Sequence, residues 1–403
     1  MKPPLVSFAA RGLSLIELMV ALTISCFLLL GITQVFVAGK TSYQLQSALS
    51  RMQESARFTL VDVQRSARMA GYMGAGSDLT RIESGNNFPN HLVEKGVAPA
   101  FPYRFERPIE VFDAKDTGDG AQPTPGTAGN WTPSLPADLA AVRPLKGSDI
   151  LVLRSFSEES VPLAGFNPLT GTLLAANSKF PNGREFMAGG IYAVGNHRYA
   201  DVFQAIGVAG TSLAAPYTGG GTPGNRYQYD AVNSPGLTWE GNREAQYGFR
   251  AGERWWNAEL HRAVYVAYYV GLGSNGLPAL MKQQLGENGS VRNDELIEGI
   301  ESLQMLVSVN TSVPADDAPE SYQTAAQLVG TTTDPAALDQ LWRQVRSLQA
   351  GLLARCEEQF STPRPNSATY TVLDQQMRRP DDRRLRGVYQ TTVSLRNRVS
   401  NSQ

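Results

Sequence analysis

Leu13 to Ala38 reads LSLIELMVALTISCFLLLGITQVFVA, an apolar run in which Glu17 is the only charge. About 20 apolar residues in a helix cross a hydrocarbon core, so these residues form a membrane-spanning helix. Lys2 and Arg11 precede the run. Basic residues stay on the cytoplasmic side, which places the amino terminus in the cytoplasm and everything after Lys40 outside. A cleaved secretory signal fits poorly, since its apolar core is usually about 7 to 15 residues and ends in a small-residue cleavage site. An ionisable group inside a membrane span marks function by default, because a charge there costs about 2.5 to 3.5 kcal/mol on insertion scales. Glu17 therefore requires a reason.

Beyond Lys40 the pattern becomes amphipathic. Leu45, Leu49, Met52, Ala56, Leu60, Val63 and Ala67 recur at threes and fours, opposite Gln44, Arg51, Gln53, Glu54, Asp62 and Arg65. That spacing is one face of a continuing helix, with Gly71, Gly74 or Gly76 as its stop. A helix from Leu13 to about Met69 is on the order of 85 Å long at 1.5 Å per residue. Half of it suits lipid, and the other half is a stem that needs a packing partner. The expected division is a leader over residues 1–12, a membrane helix over 13–38, an amphipathic stem over 39–70 and a folded head over 71–403.

The remainder is long enough to bury a core. The chain has 403 residues, 18% charged and 42% hydrophobic, with a formal net charge of -1. Such a balance selects neither nucleic acid nor acidic membrane surfaces. Residues 71–147 and 207–243 are rich in Gly, Pro, Asn and Asp and read as long loops. Between and after them lie strand patterns: Asp149–Arg154, Ala200–Ile206, His261–Val270, ESLQMLVSV (301–309), VRSLQAGLLARC (345–356) and Leu385–Arg396. Their period of two predicts a mostly antiparallel sheet. One long helix followed by sheet and loops is an α+β order. In 301–309, Leu303, Met305, Val307 and Val309 are expected on the buried face, opposite Gln304, Leu306 and Ser308.

Two groups of residues carry a family resemblance. Gly12-Leu13-Ser14-Leu15-Ile16-Glu17, with its basic flank and its glutamate at the fifth place after the glycine, resembles the leader junction of type IV pilins and type II secretion pseudopilins. The segments GSDILVLR, HRAVYVAYYV, LIEGIESLQMLVSV, Trp342–Arg355 and DRRLRGVYQTTVSLRNR resemble the PilW family of minor pilins. The resemblance implies a pilin-like fold and cleavage between Gly12 and Leu13 by a prepilin peptidase, which also methylates the new amine. It also implies an inner-membrane anchor that includes Leu15, Ile16, Leu18, Met19, Val20 and Leu22, with the head in the periplasm and later at the pilus tip. The implied partners are other minor pilins, the major pilin, the assembly platform and a tip adhesin. The function it implies is priming of type IV pilus assembly, and with it twitching motility. Glu17 would pair with the Leu13 amine of a neighbouring subunit, beneath a tip-most subunit that lacks the glutamate. A type II secretion pseudopilin is the alternative in the same class; a tip adhesin or DNA receptor is the alternative in another.

Catalytic and metal chemistry lack their parts. His91, His197 and His261 stand far apart without metal-ligand spacing, and no nucleophile elbow or phosphate loop occurs. No enzyme activity, cofactor or nucleic-acid partner is expected. Asp113, Asp116 and Asp119 miss the EF-hand spacing, so a solvated acidic turn is expected, with calcium as the alternative. Arg378, Arg379, Arg383, Arg384 and Arg386, interleaved with Asp381 and Asp382, read as a solvated loop with local ion pairs, with DNA as the alternative. Cys26 and Cys356 are expected to be free thiols, Cys356 buried on its strand face.

Overall fold

A computed structural model describes residues 14–74, 90–92, 100–115, 123–167, 171–195, 200–215, 224–225, 258–309, 321–359, 369–379 and 382–395. The first element is a single helix, α1 (Leu15–Met69), 55 residues long. It leaves through Gly71 at φ +75° and Gly74 at φ +83°, a conformation that favours glycine. Residues 1–51 and 52–403 form two compact units. Within the second, Met52, Ala56, Val63 and Ala67 of α1 are buried as their spacing requires.

The head's larger sheet holds eleven described strands. In chain order they are β1 (Ile109–Ala114), β2 (Trp131–Thr132), β3 (Ile150–Asn167), β4 (Thr172–Ala175), β5 (Ile191–Gly195), β6 (Ala200–Gln204), β7 (Gly207–Ala209), β8 (Ser212–Ala214), β9 (Glu259–Leu272), β10 (Pro278–Leu285) and β11 (Val291–Glu298). Every pairing among them is antiparallel. The long strands β3 and β9 pair with each other and form a spine, broken by a bulge between Phe156 and Ser160. On one side of the bulge the spine is flanked by β1 and β10, on the other by β4 and β5. Each half has a core. Trp131, Leu139, Ile150, Val152, Tyr265 and Tyr269 fill one, and Phe166, Phe180, Phe186, Tyr192, Phe203 and Leu260 fill the other. A third cluster of Phe105, Phe156, Ile191, Ala193, Val202 and Ala263 spans the bulge.

A second sheet takes β12 (Ile300–Val309), β13 (Tyr322–Gln323), β14 (Val345–Arg355) and β17 (Arg386–Ser394) in the order β13-β12-β14-β17. The hairpin β15 (Thr369–Val372) and β16 (Gln375–Arg378) packs Val372 and Met377 on Leu353. Three short α-helices, α2 (Ala137–Ala141), α3 (Ala325–Val329) and α4 (Pro335–Arg343), and two 3-10 turns, Phe101–Tyr103 and Ala128–Asn130, are also described. The long helix and the antiparallel, loop-bearing head are the α+β arrangement expected.

Several local expectations require correction. Ile109–Ala114 lies in the stretch read as loop, yet it is a buried strand, because it joins the spine beside Ile150–Leu153. Residues 207–214, also read as loop, form the β7–β8 hairpin. All ten residues of β12 are buried: one-sided alternation fails because both of its faces are covered. Ser302 Oγ and Gln304 Nε2 each donate to the Gly147 carbonyl at 3.0 Å, which satisfies these polar groups away from water. The same seam receives Asp149, whose carboxylate accepts from Ala114 N and Met305 N, both at 2.8 Å.

Candidate assembly site

The helix that carries Glu17 begins with a reciprocal cap. Glu17 N–H donates to Ser14 Oγ at 3.2 Å, and Ser14 N–H donates to Glu17 Oε2 at 2.9 Å. This is the Ser-x-x-Glu capping box, which satisfies two of the four unpaired N–H groups at a helix start. In a membrane, where no water substitutes, each such group left unsatisfied costs several kcal/mol. Thr23 and Thr33 further along return their hydroxyls to the Met19 and Leu29 carbonyls at 3.0 and 2.6 Å, so these polar side chains of the run are also paired within the helix. Leu15, Ile16, Leu18, Met19, Val20 and Leu22 are all exposed, a surface suited to lipid or to other apolar helices. Gly12 and Leu13 lie outside the described residues.

At the other end, α1 is tied to the spine by polar groups. Asp62, expected on the solvent face, is instead half-buried. Its Oδ2 accepts from Tyr268 Oη at 2.6 Å and Lys282 Nζ at 2.9 Å, while Ser66 Oγ lies 2.8 Å from Tyr268 Oη. Burial raises the Tyr268 hydroxyl above its ordinary pKa, and the Asp62 carboxylate adds to the rise. The phenol is thus held as a donor. Past the helix, Gly71 N donates to Arg154 O at 3.1 Å and Phe156 N donates to Tyr72 O at 2.7 Å, so the chain leaves α1 alongside β3.

Two buried ion clusters fix the head behind this junction. Arg154, fully buried, donates to Glu110 Oε2 at 2.7 Å and to the Arg107 and Phe101 carbonyls, with its guanidinium over the Phe101 ring. Arg107 bonds Glu110 Oε1 at 2.9 Å and also Asp339 of α4. Burial pushes the Glu110 carboxyl up, but the Arg154 and Arg107 guanidiniums reverse this and hold it below its ordinary value. In the second cluster Arg355, Arg379 and Arg386 surround Glu301, which is fully buried, at 3.2, 3.7 and 2.8 Å. Arg386 also pairs with Asp382 at 2.8 Å. The arginines expected in a solvated loop are in part core groups: Arg379 is 1% exposed. Glu301 attracts them, and in sequence it is only the first residue of a strand pattern.

The other sequence candidates do not converge on this site. Asp113 is a buried β1 residue that accepts from Ala326 N at 3.2 Å, and Asp116 and Asp119 lie outside the described residues, as does His197. His91 is buried with Nε2 3.7 Å from Asp201, and His261 is buried with Nδ1 2.9 Å from the Ser157 carbonyl. Among the described residues no group of three His, Cys, Asp or Glu side chains is placed to hold a metal ion. Cys26 and Cys356 are free, Cys356 buried as its strand face predicts.

Comparison with known families addresses both ends of the chain. Residues 8–33 match the prokaryotic N-terminal methylation motif. Residues 267–397 match the family model of Type IV Pilus-assembly protein W. Together these matches support a type IV pilus-assembly pilin. The PilW match runs from β9 to the end of β17 and so contains Tyr268, Lys282 and the Glu301 cluster; the motif match contains the Ser14–Glu17 cap. Pilins of this kind are structural components rather than enzymes, and the N-terminal motif implies processing by a peptidase and interaction with other pilus components. No curated protein and no solved structure matches the chain. Sequence reasoning passed over Ser14, although Ser-x-x-Glu before an apolar run is a readable cap signature. For Asp62 there was no local signal, since its partners are more than 200 residues away.

Proposed function

We propose that this chain is a minor pilin that primes type IV pilus assembly together with other minor pilins and is incorporated at or near the tip. Prepilin peptidase removes residues 1–12 on the cytoplasmic side and methylates Leu13. Residues 13–38 anchor the chain in the inner membrane, with 39–70 as stem and 71–403 as a periplasmic head. The observation that carries the reading is the coincidence of a methylation motif, an exposed apolar helix and one carboxylate held at its first turn. Two oxygens of that carboxylate offer about four lone-pair sites, and the Ser14 amide takes one. The remainder are open to the Leu13 amine of an adjacent subunit, which pairs two charges that are each costly in lipid.

Deletion of the chain, followed by a count of surface fibres, tests the reading: fibres fall and return on complementation. Unchanged fibre number with lost protein secretion favours the type II secretion pseudopilin. Unchanged fibre number with lost attachment or DNA uptake favours the receptor.

A further inference from the structure

Between the last turns of α1 and the spine lies a cleft of about 390 Å³, within the range of about 300 to 1,000 Å³ typical of small-molecule sites. Its lining is charged. Asp62 and Lys282 neutralise each other at 2.9 Å, and the remaining charges are Arg65, Arg184 and Arg262 against Glu158 and Glu159. The bulge of the spine builds this arrangement. Between the pairs Phe156–Ala263 and Ser160–His261, three residues of β3 face Arg262 alone, so both glutamates line the cleft with it, as a bulge that re-aims side chains allows. Arg184 comes from a turn in which Asn182 Oδ1 accepts from Arg184 N at 3.1 Å. The Arg184 and Arg262 guanidiniums share one carboxylate, Glu287, at 3.6 and 3.8 Å, longer than a charge-assisted hydrogen bond. Burial, and after it the Arg184 charge, pulls the Arg262 guanidinium below its ordinary pKa. Two like charges thus stand together in a partly buried cleft, which is costly unless a further anion bridges them.

We propose that this cleft binds a small zwitterion of peptide type, with its carboxylate on Arg184 and Arg262 and its ammonium on Glu158 and Glu159. A planar carboxylate takes paired N–H donors from a guanidinium. The two glutamates repel a bare polyanion such as phosphate but attract an ammonium. Asn182 and Gln284 also line the cleft, and their amide groups can both donate to and accept from the peptide unit between the two charges. Every residue of the cleft belongs to the head or to the stem turns packed on it, so binding does not depend on which fibre the chain joins.

Isothermal titration of the full-length chain in detergent with the dipeptide alanyl-alanine tests this. Saturable binding is expected, and N-acetylation of the dipeptide, amidation of its carboxyl or Arg184→Gln in the protein should each weaken it about tenfold. Glu158→Gln combined with Glu159→Gln should abolish the preference for the free amine over the acetylated form, a change that general loss of folding does not mimic. The Arg184 side chain is 54% exposed, so the thermal midpoint should not move; if it falls, the two blocked dipeptides decide on the unaltered chain. No binding of the dipeptide, binding of inorganic phosphate as tight as that of the dipeptide, or an affinity indifferent to blocking and to substitution overturns the proposal.

Discussion

A carboxylate at the first turn of an apolar helix has two separable tasks, and substitutions at Glu17 divide them. Glutamine at the third helical position still accepts from the Ser14 amide, so Glu17→Gln keeps the cap and removes the charge, whereas Glu17→Ala removes both. Glu17→Gln is expected to reach wild-type membrane levels yet enter fibres at least tenfold less, since an opposed charge left alone in lipid costs more than 1.4 kcal/mol. Equal amounts in sheared fibres would rule out the charge pairing. Glu110 makes a different residue-scale prediction. Its folded pKa is held below the unfolded value of about 4.3, so its contribution is full above that value and is lost as pH falls through the folded pKa. Glu110→Gln strands two buried guanidiniums and should cost about 3 to 5 kcal/mol at pH 7, with a shallower loss of stability below pH 5 in urea melts. Asp149 acts in the opposite sense. Burial and the nearby Asp113 carboxylate raise it well above its ordinary value, so its contribution is present at low pH and declines as pH rises through the folded pKa. Asp149→Asn turns an NH₂ group toward one of its two backbone donors, which should cost about 2 kcal/mol in the same melts.

Between elements, one close approach is backbone on backbone. The turn joining β10 and β11 sets Gly289, at φ +77°, against Gly189, and a Cβ on Gly289 would stand 2.1 Å from the Gly189 carbonyl oxygen. Gly289→Ala is therefore expected to destabilise the head by about 2 kcal/mol through strain and overpacking, measurable as a lower denaturation midpoint; an unchanged midpoint would show that the turn can move aside. Elements with strong local pattern were legible in the sequence. The spine strand β9 and the strands β12, β14 and β17 stand close to their expected places because β-branched and aromatic runs leave few alternatives. Strand β1 was hidden by the Gly- and Pro-rich residues around it, and β11 by the charges that an edge strand carries toward water. The alternation in β12 is plain in the sequence, but its consequence is not. Whether one or two faces are covered depends on Gly147–Asp149, some 150 residues upstream, and that is a tertiary fact. At the N-terminus the Ser14–Glu17 cap and the apolar run are contiguous in sequence, so the signal there is local, whereas the seams of the head join residues far apart.

At the scale of the whole molecule, the two family matches lie at opposite ends of the chain, and the residues between them supply β1 through β8. If the pilin reading is right, the mature chain begins at Leu13. Intact-mass measurement of fibre-associated protein should then find the loss of residues 1–12 and the gain of one methyl group, and a Met1 terminus in assembled fibres would contradict it. The bulge between Phe156 and Ser160 bears on how such a molecule can change. Ser157 there accepts from Arg262 N at 3.0 Å through its Oγ and binds the His261 ring through its carbonyl, so the irregularity is locked by side chains. The pairings of β4 and β5 lie on one side of it and those of β1 and β10 on the other. The two sides still meet across it, where Gly289 stands against Gly189 and where Phe156, Ile191, Ala193 and Ala263 share one core. A change of length among β4 to β8 therefore falls on the ladders of one side, whereas a change of bulk at that contact is felt by both.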